Sequence, residues 1–169
     1  MSDMRQPRVE KVVVNIGVGE AGERLAKAHQ VVEMITGQKA VDTISRTISR
    51  DLAIRKGMPL GCKVTLRGER AEDFLRRALA IRDNRIQEYS FDPEGNMSFG
   101  VGDYTDFPGM RYDPDIGIFG MDVNAVLRRP GSRISTRMLR RRRIPRSHRL
   151  ERDEALEFWK ANFNVEVVE

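Results

Sequence analysis

The sequence predicts an α+β fold, in which helices pack on one face of a mixed β-sheet and leave the other face open. Several short segments alternate apolar and polar residues with a period of two, which is typical of strands with one buried side. Other segments repeat apolar residues with the helical period. Because these segments follow one another in a mixed order, a doubly wound parallel sheet is not expected.

The composition is typical of one folded domain with a long arm. The chain has 169 residues, enough to bury a core, and 40% of them are hydrophobic. No apolar run approaches the roughly 18 residues that cross a membrane. The N-terminal segment MSDMRQPRVE has no apolar signal region, so we expect a cytoplasmic protein. We predict a single domain over residues 1–169.

The chain begins with a predicted strand over residues 9–16, followed by a helix over residues 21–36. Every second residue of the strand is apolar, so one side can join a core. That side holds Val12, Val14 and Ile16. The apolar stripe of the helix holds Leu25, Ala28, Val31, Val32 and Ile35. Gly37 is expected to cap the helix at its C-terminus.

An extended segment over residues 39–48 comes next, with Val41 and Ile44 as its core candidates. A strand with clear alternation follows the turn at residues 56–59. The apolar side of this strand holds Leu60, Cys62, Val64 and Leu66, and its polar side holds Gly61, Lys63, Thr65 and Arg67. The lone cysteine therefore lies on the core side, where we expect a small buried residue and no disulfide.

The second half of the chain repeats the same signals. A helix is predicted over residues 69–82, and strands over residues 97–101 and 118–128. The loop between these two strands is expected to be ordered by its aromatic residues, which are Tyr104, Phe107 and Tyr112. Asp153 is expected to cap a last helix, and a strand over residues 164–168 closes the chain. The core side of this helix holds Ala155, Leu156, Trp159 and Phe163.

Positive charge is concentrated in one segment. Residues 128–149 contain ten arginines and no acid, and without these ten the formal net charge of +5 would be −5. Such a patch is the electrostatic footprint of a protein that binds a polyanion. A localisation signal or a solvated tail is the alternative, but the chain returns to a helix and a strand afterwards. We therefore predict an extended RNA-binding arm over residues 129–149, with Arg129, Arg133, Arg137, Arg140, Arg141, Arg142, Arg143, Arg146 and Arg149.

The polar sides of the predicted strands form one face if the strands are neighbours. That face would hold Lys11, Asn15, Lys63, Thr65, Arg67, Asn124 and Arg128. Cations with amide and hydroxyl groups suit a phosphate–sugar backbone. The face lacks the exposed aromatic pair that stacks bases in the common four-stranded RNA modules. A folded RNA recognised by its shape is therefore favoured over a single strand.

An enzyme is the main alternative. Residues 17–22 fit the glycine pattern of a dinucleotide-binding turn, and Asp42 lies near the expected position of the ribose-binding acid. However, Glu20 and Glu23 would place negative charge beside a bound pyrophosphate. No nucleophile–base pair is found, and His29 and His148 are far apart in sequence, so we expect no catalysis, metal or cofactor. A general RNA chaperone without a fixed site is a third possibility.

Several segments of the chain resemble large-subunit ribosomal protein five, of the archaeal and eukaryotic type. They lie in the right order and are residues 9–20, 35–41, 54–75, 97–101 and 117–131. The resemblance implies a structural protein that binds 5S ribosomal RNA on the concave face of its sheet. It also implies attachment of that RNA in the central protuberance of the large subunit. The implied partners are 5S rRNA, large-subunit rRNA, transfer RNA in the peptidyl site (P-site tRNA) and other large-subunit proteins.

The resemblance also assigns residues. Asn15, Gln38 and Thr65 match family positions associated with the 5S RNA; the strand pattern had indicated Asn15 and Thr65 but not Gln38. The loop that reaches toward P-site tRNA is matched by Arg50, Arg55, Lys56, Gly57 and Met58. Residues 46–52 depart from the lysine-serine-isoleucine-alanine run of bacterial members, so the side chain that touches tRNA stays open. The arm over residues 129–149 is longer than in bacterial members, and the RNA that it contacts also stays open.

Overall fold

The computed structural model describes residues 3–168, and it confirms the α+β fold. The strands are β1 (Arg8–Gly17), β2 (Val41–Ile44), β3 (Pro59–Leu66), β4 (Arg85–Gln87), β5 (Met97–Val101), β6 (Met121–Arg128) and β7 (Glu166–Val168). Five of them form one sheet in the order β2-β3-β1-β6-β5, and two form a small parallel sheet, β4-β7. The helices are α1 (Glu23–Thr36), α2 (Glu69–Ile81) and α3 (Arg152–Phe163).

The described residues divide into two compact units. The central unit holds Val13–Leu66 and Gly100–Val123. The terminal unit holds the described residues up to Val12, then Arg67–Phe99, and those from Asn124 onward. Strands β1, β5 and β6 contribute residues to both units. The single-domain organisation stays a prediction.

The predicted alternation is confirmed in β1, β3 and β6. The residues on the core side are buried, namely Val12, Val14, Ile16, Cys62, Val64, Leu66, Met121, Val123, Ala125 and Leu127. Leu60, at the start of β3, is only half-buried. Within the described part of the chain no polar or charged residue is buried. Charged side chains therefore reach solvent from the open side or from the edges of the sheet.

Strand β3 approaches β1 closely at Gly61. A Cβ atom at this position would clash with the Ile16 carbonyl oxygen and would lie 3.1 Å from Thr43 Oγ1. The backbone N–H groups of Val18 and Gly19 donate to the Leu60 carbonyl, at 2.9 and 2.7 Å. The end of β1 thus lies against the start of β3, and only glycine permits that separation.

In the central unit, α1 covers the core side of β3. Its five predicted stripe residues are all buried. The helix ends as predicted at Gly37, which has φ 65°, and its N–H donates to the Glu33 carbonyl at 2.8 Å. His29 Nε2 lies 2.5 Å from an oxygen of Asp42 and so ties α1 to β2.

The prediction that Val41 and Ile44 are core residues is wrong, because their side chains are 64% and 61% exposed. The register of the hairpin explains the error. Val41 is paired with Lys63, which belongs to the open side, whereas Asp42 is paired with the buried Cys62. Antiparallel partners share a side of the sheet, so the acid and not the valine faces the helix. β2 is also an edge strand with a shift of register after Thr43.

In the terminal unit, the turn at residues 92–96 forms hydrogen bonds to both β6 and α3. The Trp159 indole Nε1 donates to the Gly95 carbonyl at 3.0 Å, and the Leu127 N–H donates to Asn96 Oδ1 at 3.1 Å. Gly95 has φ 74°, and a Cβ atom there would clash with Ala155 Cβ. The predicted core role of Trp159 is confirmed, since it is fully buried.

Three further details differ from the sequence-based expectations. Helix α3 begins at Arg152, after Glu151 in the N-cap position, so Asp153 is in its first turn and is not the cap. Tyr104 and Phe107 are buried as predicted, but Tyr112 is 57% exposed and does not anchor its loop. The short strand β4 was not predicted, because only Ile86 of its three residues is buried. Among the described residues, no helix is both long and apolar enough to cross a membrane.

We predict that Gly61→Ala lowers the free energy of unfolding by about 1–3 kcal/mol, as overpacking of a tightly packed site does. The added methyl group would meet a backbone oxygen of β1, which cannot move without displacing the strand. Urea denaturation measures the change. Gly102→Ala is the matched control, because its Cβ atom has no neighbour within 4 Å, and it should change stability by less than about 0.5 kcal/mol. Equal effects of the two substitutions would contradict the prediction.

Candidate nucleic-acid interface

The central unit holds four of the eight residues predicted to bind 5S rRNA, which are Asn15, Gln38, Lys63 and Thr65. Because the end of β1 lies against the start of β3, these two strands are antiparallel. Asn15 and Lys63 each lie two residues further into the sheet from the close approach of Gly17 and Gly61. Side chains two residues apart in a strand share a side, so both belong to the open side.

Gln38 reaches the same strand from the end of α1. Its Nε2 donates to the Thr65 carbonyl at 3.4 Å, and its backbone N–H donates to Thr36 Oγ1 at 3.4 Å. Gln38, Asn15 and Thr65 are half-buried, whereas Lys63 is exposed. Strand alternation could not place Gln38, because a helix terminus meets the strand only through tertiary packing.

The terminal unit holds the other four, Lys11, Arg67, Asn124 and Arg128. Arg128 already has a partner, since its Nε lies 3.0 Å from Glu10 Oε2, in an ion pair without the alignment of a hydrogen bond. Lys11, Arg67 and Lys63 form no ion pair with the residues that the structure describes. Of the four cations predicted on the open face of the sheet, these three are therefore available to an external anion, whereas Arg128 is already paired.

The predicted tRNA loop is a hairpin that extends β2 and β3. Ser45 N–H donates to the Met58 carbonyl at 2.9 Å, and Ser49 and Ile54 exchange two backbone hydrogen bonds of 3.0 and 2.9 Å. A turn over residues 50–53 forms the tip, where Ala53 has φ 54°. Arg50 lies at this tip, and the other predicted residues lie on the returning side. Of the predicted loop residues, Arg50, Arg55, Lys56 and Gly57 are exposed and Met58 is half-buried.

The arginine arm is anchored at its base. Arg129 Nη2 lies 2.6 and 2.5 Å from the two carboxylate oxygens of Glu154, and the Arg129 side chain is only 12% exposed. His148 Nε2 lies 3.1 Å from the Pro130 carbonyl oxygen, which holds the two ends of the arm together. The arm was predicted to be extended, but its two ends meet, and it is mostly irregular with short 3-10 turns at Ser132–Ser135 and Arg146–His148.

The arm lines an open groove of about 350 Å³ in the terminal unit. Apolar side chains of Leu127, Ile144 and Leu150 contribute to its lining. The arginines that line it are Arg128, Arg129, Arg141, Arg142, Arg143 and Arg149. The last four of these, with Arg133 and Arg146, are exposed and form no ion pair with any described acid. Six arginines and one acid, Glu94, thus line the groove, which is cationic on balance.

The glycine turn does not present the groups that a dinucleotide needs. The N–H groups of Val18 and Gly19 already donate to the Leu60 carbonyl, and Asp42 is bonded to His29.

Burial, reinforced by the Asp42 carboxylate, raises the pKa of the Cys62 thiol to about 11, so it is protonated at neutral pH. Within the described residues, no three His, Cys, Asp or Glu side chains are grouped to hold a metal ion.

Comparison with known proteins gives two family matches. Residues 2–55 match the family model "Ribosomal protein L5", and residues 59–163 match the model for the C-terminus of the same ribosomal protein family. Several relatives carry the name "Large ribosomal subunit protein uL5". One from Thermoplasma volcanium is 54% identical and aligns over 99% of both chains. One from Sulfurisphaera tokodaii is 53% identical over 100% of this chain and 96% of the relative. One from Methanococcoides burtonii is 51% identical over 97% of both.

These matches span almost the whole chain and define its class, a structural and non-enzymatic protein of the ribosome. Within that class, the chain belongs to the ribosomal protein L5 family of the large subunit. The resemblance found in the sequence is confirmed, including its archaeal type, since the relatives come from archaea. Membership also confirms the predicted location, on the ribosome in the cytoplasm.

We predict that Arg129 supports the fold, whereas the exposed arginines of the arm do not. Arg129→Met should lower the free energy of unfolding by about 1–3 kcal/mol, because Glu154 loses the Nη2 group that contacts both of its carboxylate oxygens. Arg133→Met is the matched control and should change stability by less than about 0.5 kcal/mol. Thermal and urea denaturation of both variants measure this difference. Two equally small effects would show that the ion pair does not stabilise the arm.

Proposed function

We propose that this constituent of the large ribosomal subunit binds 5S rRNA and helps to attach it in the central protuberance. The observation that carries the proposal is the polar cluster of the central unit. There, half-buried Asn15 and Thr65 accompany exposed Lys63 on the open side of β1 and β3, and half-buried Gln38 reaches β3 from the end of α1 through the Thr65 carbonyl. Half-buried polar groups have restricted rotamers, so they suit contacts that require a defined register.

The mechanism is shape fit with charge neutralisation, and it involves no chemistry. Among the cations on the sheet, Lys11, Lys63 and Arg67 are best able to bind a phosphate, because none is paired with a described acid. Arg128 would contribute less, since a phosphate must first displace Glu10. The groups that set the register are Asn15, Gln38, Thr65 and Asn124.

We also propose that the hairpin between β2 and β3 contacts P-site tRNA. Paired backbone groups up to Ser49 and Ile54 support its tip, so the tip can reach away from the sheet without losing its shape. Arg50, Arg55 and Lys56 supply exposed cations for the phosphates of the tRNA. The arginine arm, in turn, is proposed to bind large-subunit rRNA, and other large-subunit proteins are proposed as neighbours.

The 5S proposal predicts that Asn15→Ala with Thr65→Ala weakens binding of 5S rRNA by a few kcal/mol, since each lost polar contact costs about 1–3 kcal/mol. Affinity is measured against a tRNA control at two salt concentrations. The double substitution removes no charge, so the salt dependence should stay constant. Lys63→Gln should instead weaken binding of both RNAs and reduce the salt slope by about 1.

The matched control is Asn162→Ala with Thr105→Ala, which removes the same two types of side chain outside β1 and β3. This control should bind 5S rRNA like the unaltered chain. Unchanged affinity after substitution of Asn15 and Thr65 would overturn the assignment of these residues. A chain that binds both RNAs equally, and loses both together in higher salt, would favour the chaperone alternative.

The hairpin proposal predicts that ribosomes carrying Arg50→Gln, Arg55→Gln and Lys56→Gln together bind P-site tRNA at least about tenfold more weakly, which is the effect of losing a single charged hydrogen bond. A hydrogen bond to a charged group contributes about 1.5–3 kcal/mol. Filter binding of tRNA to purified ribosomes measures the loss. Arg70→Gln with Arg82→Gln is the control, because both lie outside the hairpin and keep contact with solvent. An equal loss in the control, or no loss in the hairpin variant, would contradict this contact.

A further inference from the structure

The tip of the arginine arm exposes two adjacent apolar side chains. Met138 is 96% exposed and Leu139 is 79% exposed, which makes Met138 the most exposed large apolar residue in the described part of the chain. The proposed phosphate contacts of the arm use its arginines and give these two residues no role. Covering two neighbouring apolar side chains that are held in water is favourable, so these two can add to the affinity for a partner.

The tip is a built structure and not a loose end. The Arg137 guanidinium donates to the Arg140 carbonyl from Nε at 3.1 Å and from Nη2 at 2.8 Å. Arg140 has φ 51°, a left-handed conformation that reverses the chain after Leu139. Below the tip, the Arg142 N–H donates to the Ile134 carbonyl at 3.1 Å and closes the loop. Met138 and Leu139 are thus presented at the apex of a held turn.

The charge around the tip identifies the kind of partner. Arginines stand directly before it at position 137 and directly after it at positions 140–143, and residues 128–149 contain no acid. An uncharged apolar groove on a protein could cover Met138 and Leu139, but it would leave the charges of the flanking arginines without a counter-charge. A nucleic acid neutralises them with its phosphates, and the apolar surface that it offers is the face of an unstacked base.

We propose that Met138 and Leu139 form an apolar wedge that packs against an unstacked base of large-subunit rRNA while the flanking arginines hold the phosphates. The inference deepens the proposed contact between the arm and rRNA and rests on it. Methionine suits this role because its thioether is flexible and polarisable and packs well against aromatic rings. Wedges of Leu, Met and similar residues enter base steps in other nucleic-acid complexes.

Binding of purified large-subunit rRNA by the full chain tests the wedge. Met138→Ser with Leu139→Ser should lower affinity by about tenfold, and the salt slope should not change, because no charge is removed. Met138→Leu with Leu139→Met retains the apolar volume and should restore affinity. Arg141→Gln with Arg142→Gln should instead reduce the salt slope by about 2. Unchanged affinity of the serine variant, or a fall of affinity and slope together, would overturn the wedge.

Cross-linking in assembled subunits identifies what the tip touches. A benzoylphenylalanine substituted for Met138 should cross-link to a nucleotide of large-subunit rRNA on irradiation. A cross-link to a ribosomal protein, or none, would overturn the wedge and favour a protein partner or a free tip. The result is independent of the 5S proposal. If the unaltered chain showed no preference for 5S rRNA over tRNA, the 5S proposal would be refuted, but the cross-link from position 138 would still be expected.

Discussion

The one-sided burial of β1, β3 and β6 is the constraint on which the other features depend. Every second residue is buried from Val12 to Ile16 in β1, from Cys62 to Leu66 in β3 and throughout β6, and among the described residues no buried one is polar. An unpaired charge in that core would cost several kcal/mol, so charged residues are restricted to the open side and the edges. The core therefore sorts the chain chemically, and the surface available to a polyanion follows from how the hydrophobic residues alternate.

Ion pairs divide the cations into two groups. Arg128 and Arg129, at the start of the arm, are held by Glu10 and Glu154 and fix the arm to the terminal unit. The later arginines of the arm form no ion pair with a described acid, so their charges repel one another until an anion binds. The same residue type thus serves the fold at one end of the segment and remains available for binding along the rest.

Sequence patterns predicted what local periodicity controls and missed what tertiary register controls. The buried face of α1 and the open positions of Asn15 and Thr65 follow from spacing alone. Val41 was assigned to the wrong side because the phase of an edge strand is set by its partner. Gln38 meets Thr65 only through packing of a helix end on a strand, so family resemblance and not alternation pointed to it. The two hydrogen bonds from the Arg137 guanidinium to the Arg140 carbonyl have no sequence signature.

The two candidate surfaces differ in how much order exists before binding. The half-buried polar side chains on the sheet, such as Asn15 and Thr65, emerge from strands, so fixing them on a partner costs little conformational entropy, and their contacts can discriminate shape. Exposed arginines lose much more side-chain entropy when they bind. That free-energy cost is offset mainly by the release of counterions from the nucleic acid, which does not depend on sequence. A held apolar tip within such an arm adds what the arginines lack, because packing against a base face requires an unstacked base at one defined position. The arm then carries positional information of its own, in addition to charge.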